Sequence, residues 1–390
     1  MADKLKVGVI GTGFGQKVHI PGFQEHSGTQ VVAVAASRLA NAREAAEAHE
    51  IPFSTADYRE LIAHPEVQAV SIATPPHLHA EMALAAIDAG KPVLIEKPLA
   101  DSLAAALAIR ELAAERRVPG IVDFEFRFVP AWMLMKRMIA DDYLGRLRFV
   151  SVSWLVDSLA DPDARRFTWI NQSELGGGTL RSLGSHVFDY LEWFFGEIVE
   201  ATGFLGIGVP RRTMPGSRRK AVVTAEDTVS ADLRFAGGLH AAVEVCTVGW
   251  HRYGHRIIAF GDQGTLELRQ ESPSDYIHQA SLRAGRAGDP TLELVPIPED
   301  LELPREFPDG RLAPFIQMID ALIRAIGGAP HPGDPDLDCG LRAQRIIDAV
   351  SRSNAEGGRV ATHRRRERSG TVWGMGMLES APRAGLSRQG

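Results

Sequence analysis

The chain has 390 residues, 45% hydrophobic and 24% charged, and a formal net charge of −6. That length points to two cores rather than one, and the net charge gives no general reason to expect nucleic acid or an anionic membrane as partner. Two cysteines, Cys246 and Cys339, are too few for a disulfide framework and lack metal-ligand spacing, so no metal is expected. No apolar run nears the roughly 20 residues that span a bilayer. No signal-peptide core precedes the first strand pattern, which makes the cytoplasm the default expectation.

From residue 5 to residue 124, short apolar runs alternate with helical stretches. Strands are predicted at Leu5–Ile10, Val31–Ala36, Val70–Ala73, Val93–Glu96 and Gly120–Phe124. A helix follows the first strand to about Glu25, and others are predicted at Ala40–His49, His77–Ala89 and Ser102–Arg117. Gly90 suits a left-handed helix end, and Asp101 or Ser102 suits a cap. Apolar strands alternating with helices imply a parallel sheet covered on both faces. The pattern changes after a helix at about Pro130–Asp141. Thr228–Phe235 alternates with period two and enters a Gly237-Gly238 turn into Leu239–Val248. Arg256–Phe260 and Thr265–Leu268 are joined by a second turn, so this sheet is mostly antiparallel, with one helix pattern, Gly177–Phe195, before it. Helices return at Pro314–Ile326 and Cys339–Ala355. Three segments follow: 1–124, 125–362, and a flexible tail at 363–390. Arg364-Arg365-Arg366 in that tail is read as solvated, with an anion contact as the alternative.

The first strand ends in Gly11-Thr12-Gly13-Phe14-Gly15-Gln16. Between a buried strand and a helix, such a turn binds a dinucleotide: Gly11 allows the tight bend and Gly13 the close approach of the pyrophosphate. The third glycine is displaced to Gly15, and Gln16 holds its usual place. At the end of the second strand stands Ser37-Arg38 rather than a carboxylate. A hydroxyl and a guanidinium suit a 2′-phosphate, so NADP(H) is expected ahead of NAD(H), unless Arg38 is an ordinary surface arginine. Glu96-Lys97-Pro98 then puts a cation at the end of a later strand, near the reactive end of the dinucleotide.

These residues, with Thr74-Pro75-Pro76-His77-Leu78-His79, Phe126-Arg127-Phe128-Val129-Pro130, Gly176-Gly177-Gly178 and Gly184-Ser185-His186-Val187-Phe188-Asp189, resemble the Gfo/Idh/MocA oxidoreductase family. The resemblance runs from about residue 5 to about residue 360. It implies an α/β fold: an N-terminal Rossmann parallel sheet, then an open, mostly antiparallel α/β domain that carries substrate on one side and often pairs subunits on the other. It implies hydride transfer on a sugar, cyclitol or related polyol, in a homodimer or homotetramer. Lys97 and His186 are the implied catalytic pair, and Thr74, Pro75, Pro76, His79 and Glu96 the implied cofactor contacts, although His79 could equally face solvent. Arg127, Trp169, Ser182 and Asp189 are set beside the substrate; for Arg127 and Trp169 inter-domain packing is the alternative. Many members carry an aspartate where this chain has Ser182, and serine cannot serve as a carboxylate base. Either His186 and Lys97 suffice, or another group such as Arg181, Asp157 or Glu125 contributes, or activity is lost. A redox-neutral lyase or glycosidase with tightly held cofactor, and a non-catalytic dinucleotide-binding regulator, remain the alternatives to a dehydrogenase.

Overall fold

The computed structural model describes residues 3–270 and 279–362, so the tail expected at 363–390, with Arg364–Arg366, lies outside the described residues. The first domain is a six-stranded parallel sheet in the order β3-β2-β1-β4-β5-β6. Its strands are β1 (Leu5–Ile10), β2 (Thr29–Ala35), β3 (Phe53–Thr55), β4 (Ala69–Ile72), β5 (Val93–Ile95) and β6 (Gly120–Val122). Helices α1 (Ile20–Glu25), α2 (Leu39–Ala48), α3 (Tyr58–Ala63), α4 (His79–Asp88) and α5 (Leu103–Arg116) connect them. Ser102 caps α5 by accepting a hydrogen bond from the Ala105 amide at 3.3 Å, and Gly90 turns left-handed after α4 at φ 72°. The short pair β3 and α3 was not anticipated.

The second domain opens with α6 (Pro130–Ala140), β7 (Leu147–Leu155) and α7 (Ser185–Phe195). There follow β8 (Ile198–Gly206), a small β9 (Arg211–Thr213) and β10 (Lys220–Val222) hairpin, β11 (Thr228–Phe235), β12 (His240–Cys246), β13 (Gly254–Gly261), β14 (Gly264–Gln270), β15 (Ala280–Arg286) and β16 (Glu293–Val295). The last elements are α8 (Leu312–Ile326), α9 (Leu337–Ala355) and β17 (Ala361–Thr362). Nine strands form one sheet in the order β16-β15-β14-β13-β7-β12-β11-β8-β17. Every neighbouring pair is antiparallel but β7 and β12. The period-two reading of β11 holds: Val229, Ala231, Leu233 and Phe235 are buried between exposed residues.

The late helices come back to the first sheet. Phe315, Met318, Ile319 and Leu322 of α8 share a core with Val7 and Val9 of β1, Val18 and Phe23. Helix α9 lies between the domains, against α5 and β6 on one side and α7 and β8 on the other. No helix among the described residues is long and apolar enough to cross a membrane.

Candidate active site

The glycine turn sits at the carboxyl end of β1, where parallel sheets bind ligands. Gly11 adopts φ 108°, and its amide donates to the Ala35 carbonyl at 2.8 Å. A Cβ on Gly11 would collide with the Ala73 carbonyl, so the bend needs glycine. At Gly13 a Cβ would meet nothing within 4 Å, which leaves an open cradle above the backbone. Gly15 is buried, with the Ala73 Cβ 3.2 Å from where its own would be. It serves the close strand–helix packing that the third glycine of such a turn provides, although Gln16 occupies the usual position. Phe14 stands edge-on to His19 at 5.7 Å. Ser37 and Arg38 are exposed at the end of β2. The Arg38 carbonyl starts α2 by accepting from the Asn41 and Ala42 amides. This cradle fits a dinucleotide.

The Thr74–His79 loop follows β4. The expected contact of His79 with the cofactor is corrected, as is its alternative of facing solvent. The ring is fully buried, with Nε2 2.8 Å from the Thr74 carbonyl and Nδ1 2.9 Å from the Pro98 carbonyl. His79 starts α4 on the inward side, so it braces the loop against the Lys97 segment. Its neighbour His77 reaches across the cleft to the Leu175 carbonyl at 3.1 Å.

Lys97 follows β5 and is half-buried; its peptide bond to Pro98 is cis. Its Nζ donates to the Ser182 carbonyl at 3.3 Å, so Ser182 meets the lysine through its backbone. The Glu96 carboxylate is buried and has a protein partner. It accepts from His19 Nε2 at 3.0 Å, while His19 Nδ1 faces the Ser71 hydroxyl at 2.7 Å. Burial opposes the charge on Glu96, but the His19 hydrogen bond and the Lys97 ammonium outweigh it and hold the carboxyl low, at about 2. Asp123 behaves oppositely: burial, then the negative charges of Glu125 and Glu96, raise it well above the usual carboxylate range. These causes favour the protonated form of Asp123 beside Glu96. His19, Glu96 and Asp123 bring one ligand atom each within 4.8 Å of one another, a buried group whose atoms could also hold a metal ion. His19 was missed in the sequence, where its partners lie 52 and 77 residues away.

His186 enters from the first turn of α7, after an irregular helical turn at Leu180–Gly184. It is 3% exposed, edge-on to Phe126 at 4.7 Å and Phe124 at 6.0 Å. Burial, and then the positive charge of Lys97, hold its pKa well below the usual value, so the ring is neutral. The carboxylate facing it is Glu125, with Oε2 4.0 Å from Nε2. The other proposed substitutes are engaged elsewhere. Asp157 pairs with Arg252 at 3.0 Å, and Arg181 donates to the Asp101 and Gly177 carbonyls.

Arg127 and Asp189 are also corrected as substrate contacts. They form a buried bidentate ion pair at 2.9 and 2.6 Å, and Arg127 donates further to the Gly333 carbonyl at 3.1 Å. Asp189 lies three residues beyond His186 on α7 and meets Arg127 of the turn at Glu125–Phe128. Trp169 is half-buried in a short turn just before the glycine run.

A glycine-turn parallel domain followed by a mixed sheet, with a lysine and a neutral histidine in the cleft, defines an oxidoreductase with an NAD-binding Rossmann fold. Residues 5–124 match the family domain described in those words, and residues 132–267 match that family's C-terminal domain. The chain belongs to the Gfo/Idh/MocA oxidoreductase family. An uncharacterized oxidoreductase of Synechocystis is 40% identical over 356 residues, 91% of this chain and 95% of the relative. Levoglucosan dehydrogenase of Pseudarthrobacter phenanthrenivorans is 30% identical over 310 residues, 73% of this chain and 79% of that enzyme. A levoglucosan dehydrogenase solved with NADH and L-sorbose superposes with a TM-score of 0.83 at 27% identity, covering 93% of this chain and 99% of that one.

Proposed function

We propose that this protein transfers a hydride between NADP(H) and a hydroxyl- or keto-bearing carbon of a sugar, cyclitol or related polyol. The observation that carries the reading is that Lys97 Nζ reaches the Ser182 carbonyl, four residues before His186, and that its charge helps to hold the His186 ring neutral, in a chain whose first strand ends in an open glycine turn. Gly11, Gly13, Phe14 and Gly15 would hold the pyrophosphate, Ser37 and Arg38 the adenosine end, and Thr74, Pro75 and Pro76 the nicotinamide side. When bound, the nicotinamide supplies or takes up the hydride. Lys97 points its ammonium at the reacting oxygen and stabilises negative charge there. His186, as a neutral ring, accepts the hydroxyl proton in oxidation and returns it in reduction. Packing of His186 against Phe124 and Phe126 limits water at the ring. A levoglucosan dehydrogenase relative solved with sugars and NADH supports the substrate class, and it keeps NAD(H) as the second coenzyme reading.

An activity screen of purified protein with NADP+ and NAD+ against polyols and sugars, and with the reduced coenzymes against keto-sugars, tests the proposal. Coenzyme-dependent turnover of at least one such compound is expected. Absence of turnover across both panels defeats the activity, and NADH matching NADPH defeats the coenzyme preference. Arg38→Glu places a carboxylate where the 2′-phosphate would sit. Losing one charge-assisted hydrogen bond, about 1.5–3 kcal/mol, lowers kcat/KM with NADPH about 10–100-fold while NADH changes little. Equal losses with both coenzymes would remove Arg38 from recognition.

A further inference from the structure

Three carboxyl groups end adjacent strands beside Lys97. Glu96 follows β5, and Asp123 and Glu125 follow β6 on alternate residues. They are 8%, 1% and 5% exposed. Like charges in so poorly solvated a site cannot all persist, and a proton is retained among them. Burial and the negative charges of Glu125 and Glu96 favour its retention on Asp123. The negative charge of Glu125 acts on Asp123 from the other side, and its Oε2 lies 4.0 Å from His186 Nε2. The charged and titratable groups facing this array are His19, Lys97 and His186, with His255 beyond His186.

His186 is a poor place for a proton to stay, since burial and the charge of Lys97 both disfavour imidazolium. Its Nδ1 is buried without a hydrogen-bond partner, and its Nε2 faces Glu125. An imidazole so held takes a proton at one nitrogen and releases one from the other. Separations of this size tighten when a ligand fills the site. Resting on the activity proposed above, we infer that Glu125 is the positioning and proton-accepting partner of His186, and that Glu125, Asp123 and Glu96 together store the proton of the reaction inside the protein. In oxidation the substrate O–H bond breaks and an N–H bond forms on His186. The proton on the opposite ring nitrogen passes to a Glu125 oxygen. The O–H electron pair becomes the second carbon–oxygen bond as the hydride leaves carbon for the oxidised coenzyme. The product is a ketone, the reduced coenzyme and one proton held as a carboxylic acid. Reduction reverses each step.

Two measurements test this. The first needs neither coenzyme nor substrate: carbon-13 NMR of protein labelled at its Asp and Glu carboxyls. One aspartate resonance is expected to stay in the protonated position through neutral pH, to vanish in Asp123→Asn, and to move to a lower titration midpoint in Glu125→Gln. Finding every carboxyl ionised at neutral pH overturns the store. The second is stopped-flow oxidation with a pH indicator. Native protein is expected to reduce coenzyme before a proton reaches solution. Glu125→Gln abolishes that lag, lowers the hydride-transfer rate about 10²-fold, alters the pH profile of kcat, and leaves coenzyme affinity unchanged. Glu125→Asp restores part of the rate, which separates proton handling from misfolding. Native rate, lag and pH profile in Glu125→Gln overturn the role of Glu125. If coenzyme binds but no polyol or keto-sugar turns over, the proposed activity fails, and the carboxyl spectrum alone decides whether the store exists.

Discussion

Lys97→Met is expected to lower kcat by about 10²–10³, the usual effect of removing one preorganised donor from a developing oxyanion. Methionine keeps the length of the aliphatic stem, so packing around the cis Lys97–Pro98 segment survives. Coenzyme affinity should change little, because the glycine turn and Arg38 lie on other strands. The variant therefore separates binding from chemistry: calorimetry with NADPH stays near native while single-turnover reduction collapses. Lys97→Arg is not a conservative control. A planar fork that close to the Ser182 carbonyl has a different reach and donor geometry, and it should recover little activity. Full turnover in Lys97→Met would remove the ammonium from the reaction.

Asp189→Ala should destabilise the fold by about 3–5 kcal/mol, because it leaves the Arg127 guanidinium buried without its counter-charge. Arg127 and Asp189 are 5% and 4% exposed, so water cannot substitute for the lost partner. The shift is read from the denaturant midpoint. Removing both charges together, as Arg127→Met with Asp189→Leu, should regain much of the loss, since an apolar pair of similar volume replaces an ion pair at little cost. A substrate contact would behave differently, raising KM while the midpoint stays put. That result would return the pair to the binding site.

The two sheets were legible because their strands carry distinct patterns. Val7, Val9 and Ile10 sit in a strand buried on both faces, whereas β11 alternates buried and exposed residues. The pair β3 and α3 escaped because three and six residues are too few to show a period. At the candidate site, the motifs did not encode the direction of each side chain. His79, Glu96, Arg127 and Asp189 all border the cleft in sequence, and all four turn inward to partners brought up by the fold. Glu96 meets His19 across 77 positions, and Arg127 meets Asp189 across 62. No local pattern encodes such pairings. Lys97 stands at a strand end followed by proline, and its Nζ reaches the Ser182 carbonyl. Glu125 sat in plain view between Phe124 and Phe126, yet its relation to His186 depends on how α7 crosses the inter-domain turn.

Helix α8 gives the molecule an order of manufacture. Phe23 and the outer faces of Val7 and Val9 are sealed by side chains some three hundred positions later, among them Phe315, Met318 and Leu322. The nascent nucleotide-binding half thus emerges from the ribosome with an oily flank uncovered, and it stays so until nearly the whole polypeptide has been made. A fragment cut after residue 124 inherits the same bare flank and should clump.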